Sequence, residues 1–552
     1  MSVQPDGRRR VNRFAADDSD VVVVIGSGAG GGTLANELCQ KGAKVVLIEA
    51  GRDHQPEDFI NDEWDSLNQL AWLDARTTSG SWRIAREFPN LPAWTCKTVG
   101  GTTVHWAGCC PRFKEWEFRI RSEHGPIDGA SLLDWPIGLA DLEPYYDRAE
   151  DRLGVTRTNG IPAPPANNNF KVMGNGARRV GYTGVSTGRM AFNTVPRDGR
   201  PATIQDGFNY QGDKQRAHWS TLTAEIPKAE QTGRLDLRPQ SMASTIEHDG
   251  SGKVTGVVYV DAEGNEQRQK ARVVCVACNA IETARLLLNS ASALFPDGLA
   301  NSSGQVGRNY MRHVTGAVFA TFGQPVRMYR GETMAGIVTD ESRNDPCRGF
   351  VGGYYMQLHS LGPSFLANFL SPRAWGRDFA EVMEQYDHMA GMFLVGEDMP
   401  RETNRVTLNH DVHDQFGLPV PDVHFDDHPN DTAMREHAYA AGESVYDAVG
   451  AERTFCVPPY PASHNLGTAR MSARPAEGVV NQFGRTHDLP NLFVSDGSVM
   501  TTGAAANPTL TIVALALRQA DHIEQQMKAG RSDGPGGTSV TRSVVVADAK
   551  PF

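Results

Sequence analysis

The sequence predicts a mixed α/β fold, α+β overall, in which a Rossmann-like dinucleotide-binding domain joins a second domain built on a mostly antiparallel sheet. Three observations predict it. An apolar run, Val21 to Ile25, ends in the glycine-rich turn Gly26-Ser27-Gly28-Ala29-Gly30-Gly31. Strand-like runs with return turns fill the middle of the chain, and an apolar pattern with steps of three or four closes it from Leu510 to Met527. At 552 residues the chain exceeds the size at which one core keeps growing, which favours two packed domains.

Each element follows from a local pattern. Val21 to Ile25 reads as a buried strand; Leu34 and Leu38, four apart, put a helix after the turn, and Gly42 stops it. Lys44 to Ile48 reads as the next strand and closes with Glu49. The result is a βαβ unit, whose connection is right-handed and whose strands are parallel. Gly26, Gly28 and Gly31 form a G-x-G-x-x-G: the first permits the tight turn, the second lets backbone approach a pyrophosphate, and the third lets helix and strand pack. The helix start offers free N–H groups to phosphates. Glu49 stands where a carboxylate accepts from a ribose hydroxyl. Such a unit suits NAD and FAD alike.

From Asp151 to Glu230 the chain is rich in Gly, Pro and Asn, with Pro162-Ala163-Pro164-Pro165 and Asn167-Asn168-Asn169, and reads as a loop-rich insertion. Val254 to Val260, the turn at Gly264-Asn265 and the apolar run ending at Ala277 read as antiparallel strands returning to the nucleotide domain, followed by a helix at Ile281 to Asn289. Gly316 to Phe322, Gly349 to Gln357, Met389 to Val395 and Asn404 to Leu408 point to a second sheet able to roof a cofactor. Tyr355, Gln357 and Glu397 are polar groups of that region for which two placements stay open, facing a sugar or holding a buried or solvated structural position. Asn491 to Ser495 reads as a strand ending at Asp496-Gly497-Ser498, and Gly503 to Thr509 opens the last helix, with Gly530 as its stop. Pro508 fits the first helical position, which makes Asn507 the N-cap. Residues 1–19 read as a flexible leader and 531–552, rich in Gly, Ser and Thr, as a disordered tail.

Composition narrows the function. The net charge of -11 and the lack of a basic stripe exclude a nucleic-acid binder. The longest apolar runs, Val21 to Ile25 and Ile512 to Leu517, fall far short of the ~20 residues of a membrane helix. Arg8, Arg9 and Arg10 precede no apolar stretch, so the start lacks a secretory signal's core; a cytoplasmic location is expected, with export beside a signal-bearing partner subunit left open. The eight cysteines are scattered and read as a reduced set. Cys275 and Cys278 form a C-x-x-C inside an apolar run and read as buried thiols, with no metal site completed around them. Among sixteen histidines, His464 in Ser463-His464-Asn465-Leu466-Gly467-Thr468 is the candidate base, because an imidazole pKa near 6.5 suits removal of an alcohol proton.

Together these segments resemble the glucose-methanol-choline (GMC) oxidoreductase family over most of the chain. Val23 to Ile25 with the glycine loop, and Glu49-Ala50-Gly51, look like its FAD-binding start. Ala280-Ile281-Glu282-Thr283 with Arg285-Leu286-Leu287-Leu288, and Val306-Gly307-Arg308-Asn309, resemble its middle signatures. Asn404 to Leu408 and Gly417 to Pro421 resemble the start of its substrate domain. His464 with Gly467-Thr468, and Asn507-Pro508-Thr509-Leu510-Thr511, match the His/Asn pair of its sugar-oxidising branch. Val99-Gly100-Gly101 with His105-Trp106 and Pro111-Arg112-Phe113 is similar to pyranose oxidases, glycoside 3-oxidases and the flavoprotein subunits of sugar and gluconate dehydrogenases.

The resemblance implies FAD, held by Gly26, Gly28, Gly31, Glu49, Gly100, Gly101, Thr102, His105, Asp496, Gly497, Pro508 and Thr509. It implies an FAD-binding domain over 20–150, 231–313 and 462–530, the insertion at 151–230 and a substrate-binding domain at 314–461. In pyranose oxidases the histidine matching His105 links covalently to the flavin, while some relatives keep the residue without the bond, so both forms stay open here. Ala107 stands where those oxidases carry a Thr near flavin N5, which weakens the case for oxygen as acceptor. Related membrane-linked dehydrogenases hold an iron-sulfur cluster on cysteines just before a segment like Ser220-Thr221-Leu222; Asp206 to Trp219 contains none, so no cluster is expected. The implied reaction is oxidation of a secondary alcohol, a sugar or glycoside ring hydroxyl, to a keto-sugar, with His464 as base and Asn507 orienting the oxygen. Alternatives are a non-sugar alcohol, aryl or polyol, and a GMC-type lyase with structural flavin. The electron acceptor is left among oxygen, a quinone and a partner protein.

Overall fold

The computed structural model describes residues 13–60, 62–63, 71–72, 77–80, 94–207, 211–370, 375–459 and 463–530. Residues 1–12 and the tail at 531–552 lie outside the described residues. The βαβ unit consists of strand Val22–Ile25, helix Ala29–Gln40 and strand Val45–Ile48. Both strands are completely buried, as four-residue runs of Val, Ile and Leu must be when helices cover both faces of a parallel sheet. The sheet has five strands, in the order Leu492–Val494, Val273–Val276, Val22–Ile25, Val45–Ile48 and Leu235–Arg238, all parallel. Its edge partners therefore come from the middle and the far end of the chain.

A three-stranded antiparallel sheet of Met242–His248, Val254–Val260 and Glu266–Lys270 returns the chain to Val273–Val276, and helix Asn279–Asn289 follows. Cys275 is buried in the central sheet, and all eight cysteines are free. The second domain is a six-stranded antiparallel sheet ordered Arg453–Val457, Val314–Thr321, Met389–Gly396, Tyr354–Leu358, Ile337–Val338 and Val185–Ser186. Helices Pro429–Asp447 and Asn168–Arg179 pack on one of its faces, burying Met434, Val445 and Tyr446 against Val318, Met392 and Leu394. The opposite face turns toward the nucleotide domain.

Three expectations need correction. Asn404 to Leu408 does not join the six-stranded sheet; strand Arg405–His413 pairs with Pro419–His424 in a separate small sheet. The Asp414 carboxylate organises that hairpin, accepting the N–H groups of Phe416 and Leu418, and Arg285 of helix Asn279–Asn289 donates to it at 2.7 Å. The hairpin is thereby tied to the nucleotide domain. The 151–230 insertion is also more regular than its composition suggests: Asn167 caps helix Asn168–Arg179 by accepting from Phe170 N at 2.8 Å, so the Asn run is a helix start, not a loop. Finally, the described end of the leader is fixed to the sheet edge: Phe14 N donates to Asp236, and Lys270 N donates to Ala16 O. Among the described residues no helix is long and apolar enough to cross a membrane.

One buried ionic clamp ties the insertion to the second domain. His218 contacts Asp213 through Nδ1 at 3.0 Å and Glu332 through Nε2 at 3.1 Å. Burial alone would lower its pKa, but the two carboxylates overcome that and push it up to about 10. The folded value exceeds the unfolded value near 6.5, so the stabilisation is complete below pH 6.5 and is lost as pH rises through about 10. Thermal melts should therefore show a gap between wild type and His218→Gln that narrows from pH 6.5 to 10; a gap that widens would contradict the clamp.

Candidate active site

The C-terminal ends of the parallel strands open on a cavity of about 330 Å³. This is the side of an open α/β sheet where strand ends and helix starts leave room for a ligand. Gly26 makes the turn out of the first strand at φ +94°, and a Cβ there would lie 2.3 Å from the Ala277 carbonyl oxygen, so no other residue fits. Gly28 precedes helix Ala29–Gln40 with no side-chain cap on the first-turn amides. A Cβ on Gly28 would meet nothing nearer than the Gly101 Cα at 4.0 Å, so this position borders cavity space. Helix Thr509–Lys528 likewise starts at the cavity without a side-chain cap. Two helix N-termini with unspent N–H groups thus face one space, a setting for negative charge.

Glu49 lines the cavity and is buried. Its carboxylate accepts the Ser27 N–H at 3.0 Å, the Ser27 hydroxyl at 2.7 Å and the Gly51 N–H at 2.8 Å. Burial raises its pKa, and those hydrogen bonds oppose the rise. Asp496 also lines the cavity; it accepts from the Thr283 hydroxyl at 2.6 Å and the Ser498 N–H at 2.8 Å. Gly26, Gly28, Gly101, Thr102, His105, Gly497, Pro508 and Thr509 all sit on the wall. Gly31 and Gly100 do not: Gly31 packs against Gly26 and Ala277, and Gly100 donates its N–H to the Ser27 hydroxyl at 2.9 Å.

His464 and Asn507 line the same cavity. His464 Nδ1 lies 2.8 Å from His313 Nδ1, with the rings edge to face, and His313 Nε2 lies 2.8 Å from the Gly503 carbonyl oxygen. Burial, and then the neighbouring His313, lower the His464 pKa well below its usual 6.5. Asn507 is not the N-cap: the helix starts at Thr509 with Pro508 in the cap position, and the Asn507 amide is free for other partners. It pairs with the amide of Gln357, whose Nε2 donates to the Asn507 oxygen while Asn507 Nδ2 reaches Gln357 Oε1 at 3.4 Å.

Of the two placements open to Tyr355, Gln357 and Glu397, the structure has the buried one. Gln357 is fully buried behind Asn507, and neither Tyr355 nor Glu397 lines the cavity. Tyr355 lies in the large core with Val499 and Ala504, and Glu397 sits beyond its strand with a carboxylate oxygen 3.0 Å from where a Gly352 Cβ would be. Alternation along a strand selects a face but not how far along that face the cavity extends. The wall on the sheet side is instead Met334, His359, Leu361, Phe365 and Phe393, with Leu418 from the small hairpin. Sequence reasoning passed over these residues, and also His313 and the pairing role of Gln357; His313 follows the Val306 to Asn309 signature by four residues, which was the available signal.

Two family models described as GMC oxidoreductase match residues 89–315 and 400–516, more than half of the chain. The chain belongs to the GMC oxidoreductase family. It is similar to the 2-methyl-1,2-propanediol dehydrogenase of Mycolicibacterium austroafricanum, 35% identical with 93% of this chain and 96% of that protein covered. It is also similar to the fructose dehydrogenase large subunit of Gluconobacter japonicus, at 28% identity over 92% of this chain and 98% of the relative. The fold matches the crystal structure of pyridoxine 4-oxidase from Mesorbium loti with a TM-score of 0.69 at 16% identity, covering 92% of this chain and 99% of that one. Membership makes this chain an oxidoreductase acting on alcohol or sugar CH–OH groups and implies FAD as its cofactor.

In this GMC oxidoreductase Gly26→Ala should be damaging without touching any catalytic group. The substitution forces a Cβ into the Ala277 carbonyl at a backbone angle that disfavours side chains, costing more than about 1 kcal/mol. A lower Tm and a reduced flavin content per chain are expected; wild-type values in both would refute the close approach.

Proposed function

We propose that the protein oxidises an alcohol with His464 as the base and Asn507 as the hydrogen-bond donor to the substrate oxygen. The observation that carries this is the presence of both side chains on one wall of the cavity that the nucleotide fold opens. FAD fits the remaining wall: the uncapped start of helix Ala29–Gln40 suits a pyrophosphate, Glu49 a ribose, and the start of helix Thr509–Lys528 an electron-rich ring. His105 borders the same space. When bound, FAD supplies the acceptor for the hydride that leaves the carbinol carbon.

The protein's own contribution is proton handling and position. Kept neutral by burial and by His313, His464 has a lone pair for the hydroxyl proton at neutral pH. Asn507, its oxygen engaged by Gln357, retains an N–H for the substrate oxygen. Both groups sit where the apolar wall of Met334, Leu361, Phe365 and Phe393 limits water. Eight free thiols support a reducing, cytoplasmic setting.

Two substrate readings follow. A secondary hydroxyl of a sugar or glycoside, giving a keto-sugar, is supported by relatives named for fructose and for C-glycosides. A compact non-sugar alcohol is favoured by the apolar wall and by the withdrawal of Tyr355, Gln357 and Glu397 from it. The reacting hydroxyl needs two polar partners, and on the sheet side a sugar's other hydroxyls would meet mostly methionine, leucine and phenylalanine, with His359 as the polar exception.

Anaerobic bleaching of the flavin across a panel of sugars, glycosides and small branched diols decides between them, and repetition in air with a peroxide readout tests oxygen as acceptor against a quinone or partner protein. No bleaching by any alcohol would favour a lyase with structural flavin. His464→Ala should slow turnover by roughly 10²- to 10⁴-fold while the flavin stays bound. Because the His464 pKa is lowered, kcat/KM in wild type should hold as pH falls through 6.5 and decline only below it; an acid limb above pH 6.5 would count against His464 as the base.

A further inference from the structure

We infer that His313 is a positioning residue that fixes which nitrogen of His464 carries the proton, leaving the other nitrogen of His464 as the base. This deepens the reading of His464 given above and rests on it. The Gly503 carbonyl oxygen only accepts, so His313 Nε2, 2.8 Å away, must carry a hydrogen. A neutral imidazole has one N–H, which leaves His313 Nδ1 as an acceptor. The 2.8 Å contact with His464 Nδ1 then requires a hydrogen on that nitrogen, and the His464 Nε2 lone pair is left for the substrate hydroxyl.

Two further observations support a dedicated role. His313 is held at φ +66°, a backbone conformation that residues with side chains adopt only when their surroundings compel it. What compels it is on both sides: the preceding Arg312 N–H donates to Asp398 at 2.7 Å, and the ring is fixed by Gly503 and His464 at once. Gly503 belongs to the segment that leads to Asn507, so one imidazole connects the positions of the base and the amide donor. Glu117 steadies that segment from the other side, accepting the Ala505 N–H at 2.9 Å.

Glutamine at 313 supplies one donor and one acceptor in the same order, whereas leucine supplies neither, and the pair separates hydrogen bonding from bulk. The holoenzyme is labelled with ¹⁵N-histidine, and the His464 ring signals are assigned by their loss in His464→Ala. Wild type should show His464 protonated on Nδ1 and bare on Nε2, and His313→Leu should shift it to a mixture or to the opposite tautomer. In anaerobic stopped flow, His313→Leu should reduce its flavin roughly 10²-fold or more slowly at saturating substrate, with the concentration dependence little altered. His313→Gln should restore most of the rate and the wild-type ¹⁵N pattern.

Wild-type His464 bearing its proton on Nε2 would overturn the inference, as would His313→Gln behaving like His313→Leu. If the leucine variant does not fold, the wild-type tautomer and the glutamine rate still decide the matter. Should His464→Ala turn over normally, the base assignment fails, while the tautomer spectrum continues to report on His313 alone.

Discussion

A buried carboxylate holds the nucleotide end of this protein together. Glu49 closes the second strand and takes three hydrogen bonds, two of them from Ser27 in the glycine turn that closes the first. Ser27 in turn accepts the Gly100 N–H on its hydroxyl and the Thr221 hydroxyl on its carbonyl. Four segments remote in sequence are thereby drawn around one turn. An unpaired carboxylate at that depth would be costly, so every donor in the set is needed, and the uncapped helix start beside it keeps its geometry because the turn has no freedom left. The residues of the glycine-loop motif are thus also the internal fastening of the fold.

Legibility in the sequence followed locality. The strand Val22–Ile25, its glycine turn and helix Ala29–Gln40 were readable because each depends on neighbours within a few residues. The last helix was readable to within one position, the error falling on whether Asn507 or Pro508 takes the cap. The Asn-rich start of helix Asn168–Arg179 was unreadable because a capping Asn and a loop Asn look alike without the partner N–H. Strand Arg405–His413 was recognised as a strand but assigned to the wrong sheet, since alternation carries no information about which strand lies alongside. His313 was marked only by its place four residues past the Val306 to Asn309 signature, since its partner lies 151 residues away and its backbone angle leaves no trace in composition.

The second domain contributes shape more than chemistry. Its strand Met389–Gly396 is buried throughout, with helices on one side and the cavity on the other, so the wall carrying Phe393 has little room to adapt. Of its polar groups, His359 lines the cavity directly, whereas Gln357 stands behind Asn507 and pairs with its amide. The second domain thus lends the cavity a largely apolar wall, while His464 and Asn507 reach it from segments outside that sheet.

The strand order of the parallel sheet also carries a consequence for biogenesis. Leu492–Val494 pairs with Val273–Val276, which pairs with Val22–Ile25, so the edge of the nucleotide sheet is supplied by the last part of the chain. A ribosome delivers that strand only after the whole second domain has emerged. The βαβ unit finds both of its neighbours in the middle of the chain, so it is Val273–Val276 that waits with one flank unpaired, and the cavity, lined also by Asp496, Gly497 and Asn507 to Thr509, is complete only when synthesis is nearly finished.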